Sequence, residues 1–529
     1  MNNNNEMEVK DKLYYGDNLE VLRKYIKDET IDLCYIDPPF NSKRTYNQIY
    51  NNTGSEDKAQ SQAFIDTWEW DDAAEKGFNE LLSGGNGLYT LQTVNLIMAL
   101  QKIIGKGSLL AYIVSMALRV AEIHRVLKLT GSFYLHCDST ASHYLKLLLD
   151  SIFCPKGGNF LNEIIWCYKS RPQSKKHFGK KHDVIFFYSK SDKYLFNWQS
   201  VVRPLSDVTT KKYRLIDEQG RRYRLQGRGI TGSPIKSAKD VDQKWETTNP
   251  ELVVRDYLDE KTGVPLEDWW EIDIINQSAK ERLGYPTQKP ESLMERIIKA
   301  SSNEGDMVLD AYCGCGTTVA VAQRLKRNWI GIDITYQSIS LIIKRLSESC
   351  ENGKKVLESI EINGIPKDIE SATALAHKQD DRLRKEFEKW AILTYSDNKA
   401  FIHEKKGSDK GIDGIAKMQI SLDDAKDILF SVKSGKVGVA QIRDFRGTIE
   451  REMATGIFIT LQEPTKDMIT EAKSAGFYTN PLNGCQMDKI KIVTIQQIIN
   501  GDRLNAPMIL DVLKKAQRNG TDNQSQIKF

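Results

Sequence analysis

Asp37-Pro38-Pro39-Phe40 stands directly after the apolar run IDLCYI, so a carboxylate, two prolines and an aromatic ring leave a buried strand together. That combination suits work on an aromatic amine. Such an amine is a poor nucleophile, because its lone pair is delocalised into the ring. A carboxylate and a backbone carbonyl that accept its two N–H bonds favour a pyramidal nitrogen. They also stabilise the positive charge that develops as a methyl group arrives. Asp37 and the Pro38 carbonyl supply two such acceptors. Pro38 and Pro39 fix the loop and remove competing N–H donors, and Phe40 offers a stacking face to a base swung out of a duplex. Read locally, the same four residues are only a strand exit, since Pro-Pro is a common breaker.

A second constellation is Asp310-Ala-Tyr312-Cys-Gly314-Cys-Gly316-Thr317-Thr, between the strand-like MVLDAY and the helical TTVAVAQRLK. Glycine there permits a tight turn and close approach of a ligand to the backbone. Val319 holds the place of a third glycine, so the dinucleotide pattern GxGxxG fails. That counts against a nicotinamide cofactor and for a ligand without a pyrophosphate. Asp333 ends the next apolar run, 23 residues after Asp310, where a carboxylate can accept from ribose hydroxyls. A glycine turn alone is often plain structure; the order strand, turn, helix, strand, Asp gives it weight.

Both loops need a scaffold, and alternating elements supply one. KLYY is a short strand, LEVLRKY a helix and IDLCYI a buried strand. Helical stretches follow around 88–104 and 108–129, then GSFYLHCD as a strand and SHYLKLLLDSIF as a helix. EIIWCY and DVIFFYS are two more strands, bracketing the basic SRPQSKKHFGKKH. This alternation predicts an α/β fold with a mostly parallel sheet covered by helices. From about 195 to 283 the periodicity fades and Arg, Gly, Asp and Trp dominate, as in an inserted, substrate-reading segment. The pattern returns with PESLMERIIKAS. Residues 1–350 thus read as one domain, the charged stretch 351–381 as a linker, 382–500 as a C-terminal unit and 501–529 as a frayed tail.

The bulk numbers bound the class. A chain of 529 residues is long enough for about three units at roughly 150 residues each. Hydrophobic residues at 40% and charged residues at 28% describe an ordinary globular protein. The start, MNNNNEMEVKDK, has no secretory apolar core. Lys102, Lys106 and Arg119 interrupt the most apolar stretch, Leu96 to Leu129, which argues against a membrane partner. Eight cysteines without a CxxC pair fit free thiols in a cytoplasmic protein. The net charge of +4 is unevenly placed, with sixteen Lys/Arg against five Asp/Glu in residues 169–228. Phe178, Tyr188, Tyr194, Phe196, Trp198, Tyr213 and Tyr223 are interleaved with these bases. The mixture suits phosphate neutralisation and base stacking, or else a solvated charged face.

DPPF, an insertion, then YPTQKP at Tyr285 to Pro290 and DAYCGCGTT resemble the β class of DNA amino-methyltransferases, in that class's motif order. The similarity spans roughly residues 10–345 and includes GSFYLHCD, NFLNEIIWCY and KHDVIFFYSK. It implies a Rossmann-like methyltransferase sheet, S-adenosylmethionine as cofactor and double-stranded DNA as partner, with about 195–283 as the target-recognition region. It also implies that Asp37, Pro38, Pro39 and Phe40 hold the target base. Asp310, Tyr312, Gly314, Gly316, Thr317 and Asp333 would line the cofactor pocket, with Thr287, Lys289 and Asp17 beside it. Asp as the first residue of the loop favours N6 of adenine; enzymes acting on N4 of cytosine more often carry Ser. RNA and protein glutamine methylation use similar loops and stay open.

The C-terminal unit has its own signal. The helix LRKEFEKWAILTY, Asp409 and Asp413, the strand ILFSVKSGKVG with Lys433, the helix QIRDFRGTIEREMA and the strand TGIFITL resemble the Mrr-type branch of restriction-endonuclease-like nucleases. The resemblance implies Asp413 as a metal ligand, Lys433 near the scissile phosphate, Glu388 as a further ligand, and Mg2+. Ser431 stands where Glu or Gln is usual, which puts cutting in doubt. The combined expectation is an adenine-N6 DNA methyltransferase of a restriction–modification or defence system, with a nuclease-like tail that cuts or only binds DNA. A restriction subunit and a homodimer remain open as partners.

Overall fold

A computed structural model of the chain describes residues 11–39, 44–49, 60–66, 68–169, 175–176, 178–227, 243–248, 250–276, 279–285, 287–349, 353–377, 381–403, 411–421 and 424–510. Phe40 and Asp409 lie outside the described residues. There are two compact units, Met1–Leu195 with Trp269–Phe529, and Phe196–Asp268.

The larger unit is built on a nine-stranded sheet. Its order is Trp269–Glu271, Asn159–Cys167, His182–Ser189, Leu127–Cys137, Ile31–Ile36, Met307–Asp310, Asn328–Asp333, Lys12–Tyr15 and Glu361–Asn363. His182–Ser189 runs antiparallel to both neighbours; the other pairings are parallel. The sheet is therefore mostly parallel, as the alternation of elements predicts. Strand side chains alternate between faces, and both faces are covered. Leu33 and Tyr35 enter one apolar core, Cys34 and Ile36 the other. That explains why IDLCYI reads as a continuous apolar run. The Ser108–Val126 helix is buried along most of its length for the same reason. Among the described residues no helix is long and apolar enough to cross a membrane.

Register decides what meets at the sheet's carboxyl edge. Asp310 pairs with Tyr35 on one side and with Gly331 on the other, and Tyr15 pairs with Asp333. The loops after residues 36, 310 and 333 therefore leave neighbouring parallel strands in one direction. In open α/β sheets this edge is where ligands bind.

The stretch 351–381 corrects the linker expectation. Gly353–Ser359 is a helix, Glu361–Asn363 adds the edge strand beside Lys12–Tyr15, and Ile369–Ala376 is a further helix. Ile360, Ala372, Leu375 and Ala376 are buried. These few apolar positions, diluted by charges, are enough to anchor the segment on both sides.

The C-terminal part is a five-stranded sheet in the order Ala400–Ile402, Gly414–Gln419, Ala425–Lys433, Thr455–Thr460 and Ile490–Thr494. One face is packed by the Asp381–Tyr395 helix, and its core is continuous with that of the large sheet. The Val439–Arg451 and Lys466–Ser474 helices pack the other face. Glu386 makes the joint specific: its Oε2 accepts from the backbone N of Tyr336 at 2.7 Å. The expected tail is attached as far as Leu510, whose N donates to the Lys417 carbonyl at 2.8 Å.

Phe196–Asp268 contains a three-stranded antiparallel sheet, Leu215–Ile216, Arg222–Gly227 and Val253–Tyr257. Arg224 lies over Tyr213 at 4.9 Å and Arg255 over Tyr223 at 4.8 Å. Buried Asp256 accepts from the Tyr213 hydroxyl at 3.1 Å and from Arg224 at 2.8 Å. The stacking role expected of Tyr188, Tyr213 and Tyr223 is corrected here, because all three rings are buried. Phe178, Phe196 and Trp198 remain exposed. The charge excess also shrinks. Arg203 pairs with Glu267, and Arg221 with Asp259 and Glu260; these carboxylates lie beyond residue 228, outside the basic stretch itself.

Candidate active site

Asp37 begins the loop after the Ile31–Ile36 strand. Its Oδ2 is ion-paired with the Lys289 ammonium. Its Oδ1 is buried and has no hydrogen-bond partner among the described residues. A buried carboxylate oxygen is costly to leave without a donor, and Oδ1 can accept a hydrogen bond. Pro38, which follows, is buried and Pro39 half-buried.

Asp310 and Asp333 stand on the two strands beyond. Burial pushes the Asp310 carboxyl up to about 7, against hydrogen bonds from Thr318 and the Tyr312 backbone, with the charges of Asp37 and Asp333 adding to the rise. Burial likewise raises Asp333 to about 6. Asp333 also shapes the glycine turn, since its Oδ2 accepts from the Gly314 N at 2.9 Å and its Oδ1 from the Thr335 N at 2.9 Å. Gly314 and Gly316 have φ of 50° and 72°, a left-handed conformation that favours glycine. Val319, in the place of the missing glycine, is accommodated from the opposite side: a Cβ on Gly331 would lie 3.1 Å from Val319 Cγ2.

The YPTQKP segment crosses this turn. Thr317 donates its hydroxyl to the Lys289 carbonyl at 3.3 Å, and Arg345 donates to the Thr317 hydroxyl at 3.2 Å. Tyr285 lies against Gly314, and its hydroxyl is 3.4 Å from that of Ser338. Thr287 is half-buried in the same segment. Lys289 thus joins the two loops, its carbonyl meeting Thr317 of the glycine turn and its ammonium meeting Asp37. Asp17 caps the Asn18–Tyr25 helix by accepting from the Leu19 N at 2.9 Å. Its other oxygen pairs with Arg119 at 2.8 Å.

Residues 31–344 match the family described as DNA methylase, N6_N4_Mtase. The chain belongs to that family. Among its relatives, the Type II methyltransferase M.EcaI of Enterobacter cloacae is 31% identical over 266 residues, covering 45% of this chain and 58% of that protein. The DNA adenine methyltransferase YhdJ of Escherichia coli (strain K12) is 32% identical over 229 residues, covering 43% and 64%. The StyLTI Mod subunit, a Type III restriction-modification enzyme of Salmonella typhimurium, is 25% identical over 354 residues, covering 59% and 49%. The chain therefore spans about half to two thirds of the length of these curated relatives. Residues 383–500 match the family described as NACHT-associated inactive Restriction Endonuclease 1.

In the C-terminal sheet Asp413 Oδ2 accepts from the Val432 N at 2.7 Å, and Lys433 Nζ is 3.9 Å away. Ser431 is buried on the same strand, and Glu388 is half-buried on the Asp381–Tyr395 helix. Among the described residues no three His, Cys, Asp or Glu side chains gather as a metal site would need. The expected Mg2+ at Asp413 finds no support.

Several participants were missed from sequence. Asn18 donates to the Ala311 carbonyl at 2.8 Å, tying the start of the Asn18–Tyr25 helix to the glycine turn. Buried Tyr35 and His136 and half-buried Asp183 form a polar group behind Asp37. A histidine in the otherwise apolar FYLHC was the one available sign.

Proposed function

We propose that this chain transfers a methyl group from S-adenosylmethionine to N6 of adenine in double-stranded DNA, as the modification component of a restriction–modification or related defence system. The observation that carries the reading is the Asp37 carboxylate, with a buried oxygen that accepts from none of the described residues. An exocyclic amine supplies the missing N–H, and the carboxylate stabilises the charge that grows on its nitrogen. The Pro38 carbonyl is the second acceptor, and Phe40 the stacking face.

The residues present fit the cofactor. Asp37, Asp310 and Asp333 crowd negative charge at one edge, and the charges of Asp37 and Asp333 both raise the Asp310 carboxyl. A pyrophosphate would be repelled there; a ligand with a sulfonium and an ammonium would be held. S-adenosylmethionine supplies an electrophilic methyl group on that sulfur. Asp310, Asp333, Tyr312, Gly314, Gly316 and Thr317 would line its site, with Thr287 and Asp17 further out. Asp as the first loop residue, and a relative named as an adenine methyltransferase, support adenine over cytosine. In Phe196–Asp268, exposed Phe196 and Trp198 with exposed Lys211, Lys212 and Arg214 suit DNA contact. The similarity to a Mod subunit supports a restriction subunit as partner. The C-terminal unit is read as non-cutting.

Long-read sequencing of DNA from cells expressing the chain, beside the Asp37→Ala form, tests this. The expected result is N6-methyladenine at one motif that vanishes in the variant. N4-methylcytosine there would reassign the base, and no modified motif would overturn the reading.

A further inference from the structure

His136 has no solvent exposure and lies on the strand beside the one that leads into Asp37. The parallel register pairs Tyr35 with Tyr134 and Ile36 with Leu135, so Asp37 and His136 stand next in line. Nδ1 of His136 is 2.9 Å from the Tyr35 hydroxyl and 3.9 Å from Asp37 Oδ1, the oxygen that lacks a donor among the described residues. Nε2 is 3.3 Å from Asp183 Oδ2. The Tyr168 hydroxyl donates to the other Asp183 oxygen at 3.3 Å, and the Trp166 ring closes one side at 5.4 Å.

These contacts assign the tautomer. Burial works to raise the Asp183 carboxyl, but the hydrogen bond with His136, the Lys289 ammonium and the Tyr168 hydroxyl hold it below the ordinary range. An ionised carboxylate only accepts, so Nε2 carries the hydrogen and Nδ1 presents its lone pair. The Tyr35 hydroxyl donates to that lone pair. Burial holds the Tyr35 phenol well above its ordinary range, so it stays a neutral partner. An imidazole whose far N–H is oriented by a carboxylate is built to take up a proton.

We propose that His136, oriented by Asp183, receives through Asp37 the proton that the target amine loses. This rests on the methyl-transfer reading above. The amine nitrogen uses its lone pair to form the N–C bond, and the pair of the broken C–S bond stays on sulfur. The nitrogen then carries positive charge. One of its protons passes to Asp37 Oδ1 and, as side-chain rotation closes the 3.9 Å gap to hydrogen-bond distance, on to His136 Nδ1, and the N–H electron pair returns to nitrogen. The imidazolium sits between the Asp37 and Asp183 carboxylates, and the Tyr35 hydroxyl turns from donor to acceptor. The proton leaves from Nε2 by way of Asp183, whose side chain is 17% exposed. His136 and Asp183 are positioning and relay residues, because only Asp37 meets the amine.

The test uses the full chain and two readouts. The first is the nitrogen-15 imidazole spectrum without cofactor, with the His136 signals assigned by their loss in His136→Gln. Wild type should show hydrogen on Nε2, and Asp183→Asn should disturb that preference. The second is single-turnover methyl transfer from labelled S-adenosylmethionine to unmethylated plasmid DNA. Asp183→Asn should be slower by about a hundredfold, with cofactor affinity by calorimetry within about twofold of wild type, and Asp183→Glu should recover part of the rate. Hydrogen on Nδ1 in the wild type overturns the relay whatever the Asp183 variants do. So does Asp183→Asn at the wild-type rate. A wild type that binds cofactor and methylates no DNA overturns the proposed function, and the relay with it.

Discussion

Asp37 and Asp413 each have a lysine ammonium within reach, and their side chains are almost equally covered, at 16% and 17% exposed. Their surroundings separate them. Asp37 keeps one oxygen without a donor among the described residues, has a histidine behind it, and shares its sheet edge with Asp310 and Asp333. Asp413 spends an oxygen on the Val432 N–H and faces a strand whose middle position is a buried serine. An aspartate–lysine pair is therefore not a site in itself. Chemistry needs an acceptor left unspent and further groups that converge on it.

The largest effect should come from breaking the first pair. Asp37→Ala should lower methyl transfer by about a thousandfold while S-adenosylmethionine still binds in calorimetry; a rate near wild type would put Asp37 on a level with Asp413. Next in size is the joint between the two halves. Glu386 pairs with Lys389 at 3.0 Å and accepts from the Tyr336 N, so Glu386→Ala should remove about 3 kcal/mol of stability, as loss of one partner of a buried pair does. Denaturant melts would check this, and an unchanged midpoint would mean that the C-terminal unit is detachable.

A smaller effect is expected at the DNA-facing residues. Replacing Lys211, Lys212 and Arg214 with alanine should weaken binding to any duplex. It should also flatten the salt dependence by up to about 0.9 for each phosphate that is no longer neutralised. A titration over several salt concentrations decides it. The carboxylates at the sheet edge give a pH signature. With Asp310 near 7 and Asp333 near 6, the folded chain holds protons that the unfolded chain has already lost. The stability these groups contribute is full below about pH 4 and is lost as pH rises through about 6 and 7. A cationic ligand needs them ionised, so the thermal shift produced by S-adenosylmethionine should grow from about pH 5 to about pH 8. A flat shift would remove them from the cofactor site. The smallest effect belongs to the second pair: Lys433→Ala should change neither plasmid integrity with Mg2+ or Mn2+ nor methyl transfer. Nicking by the wild type that disappears in that variant would restore the nuclease reading.

Local pattern determined much of this protein. The apolar run before Asp37, the glycine turn after Asp310 and the alternation of elements are short-range signals, since strand and helix periods repeat within a few residues. They made the mostly parallel sheet, both loops and the family legible. Tertiary structure alone brought Asp37, His136, Asp183 and Lys289 together, because strand order and register decide which residues become neighbours across hundreds of positions. It alone turned the charged stretch 351–381 into an edge strand and core helices, since a few apolar side chains matter only once a surface exists to receive them. It also decided which charges and rings near 169–228 stay available. Arg221 and Arg224 meet carboxylates distant in sequence, and Tyr213 and Tyr223 are covered. Composition counts charges one by one, whereas folding pairs and buries them.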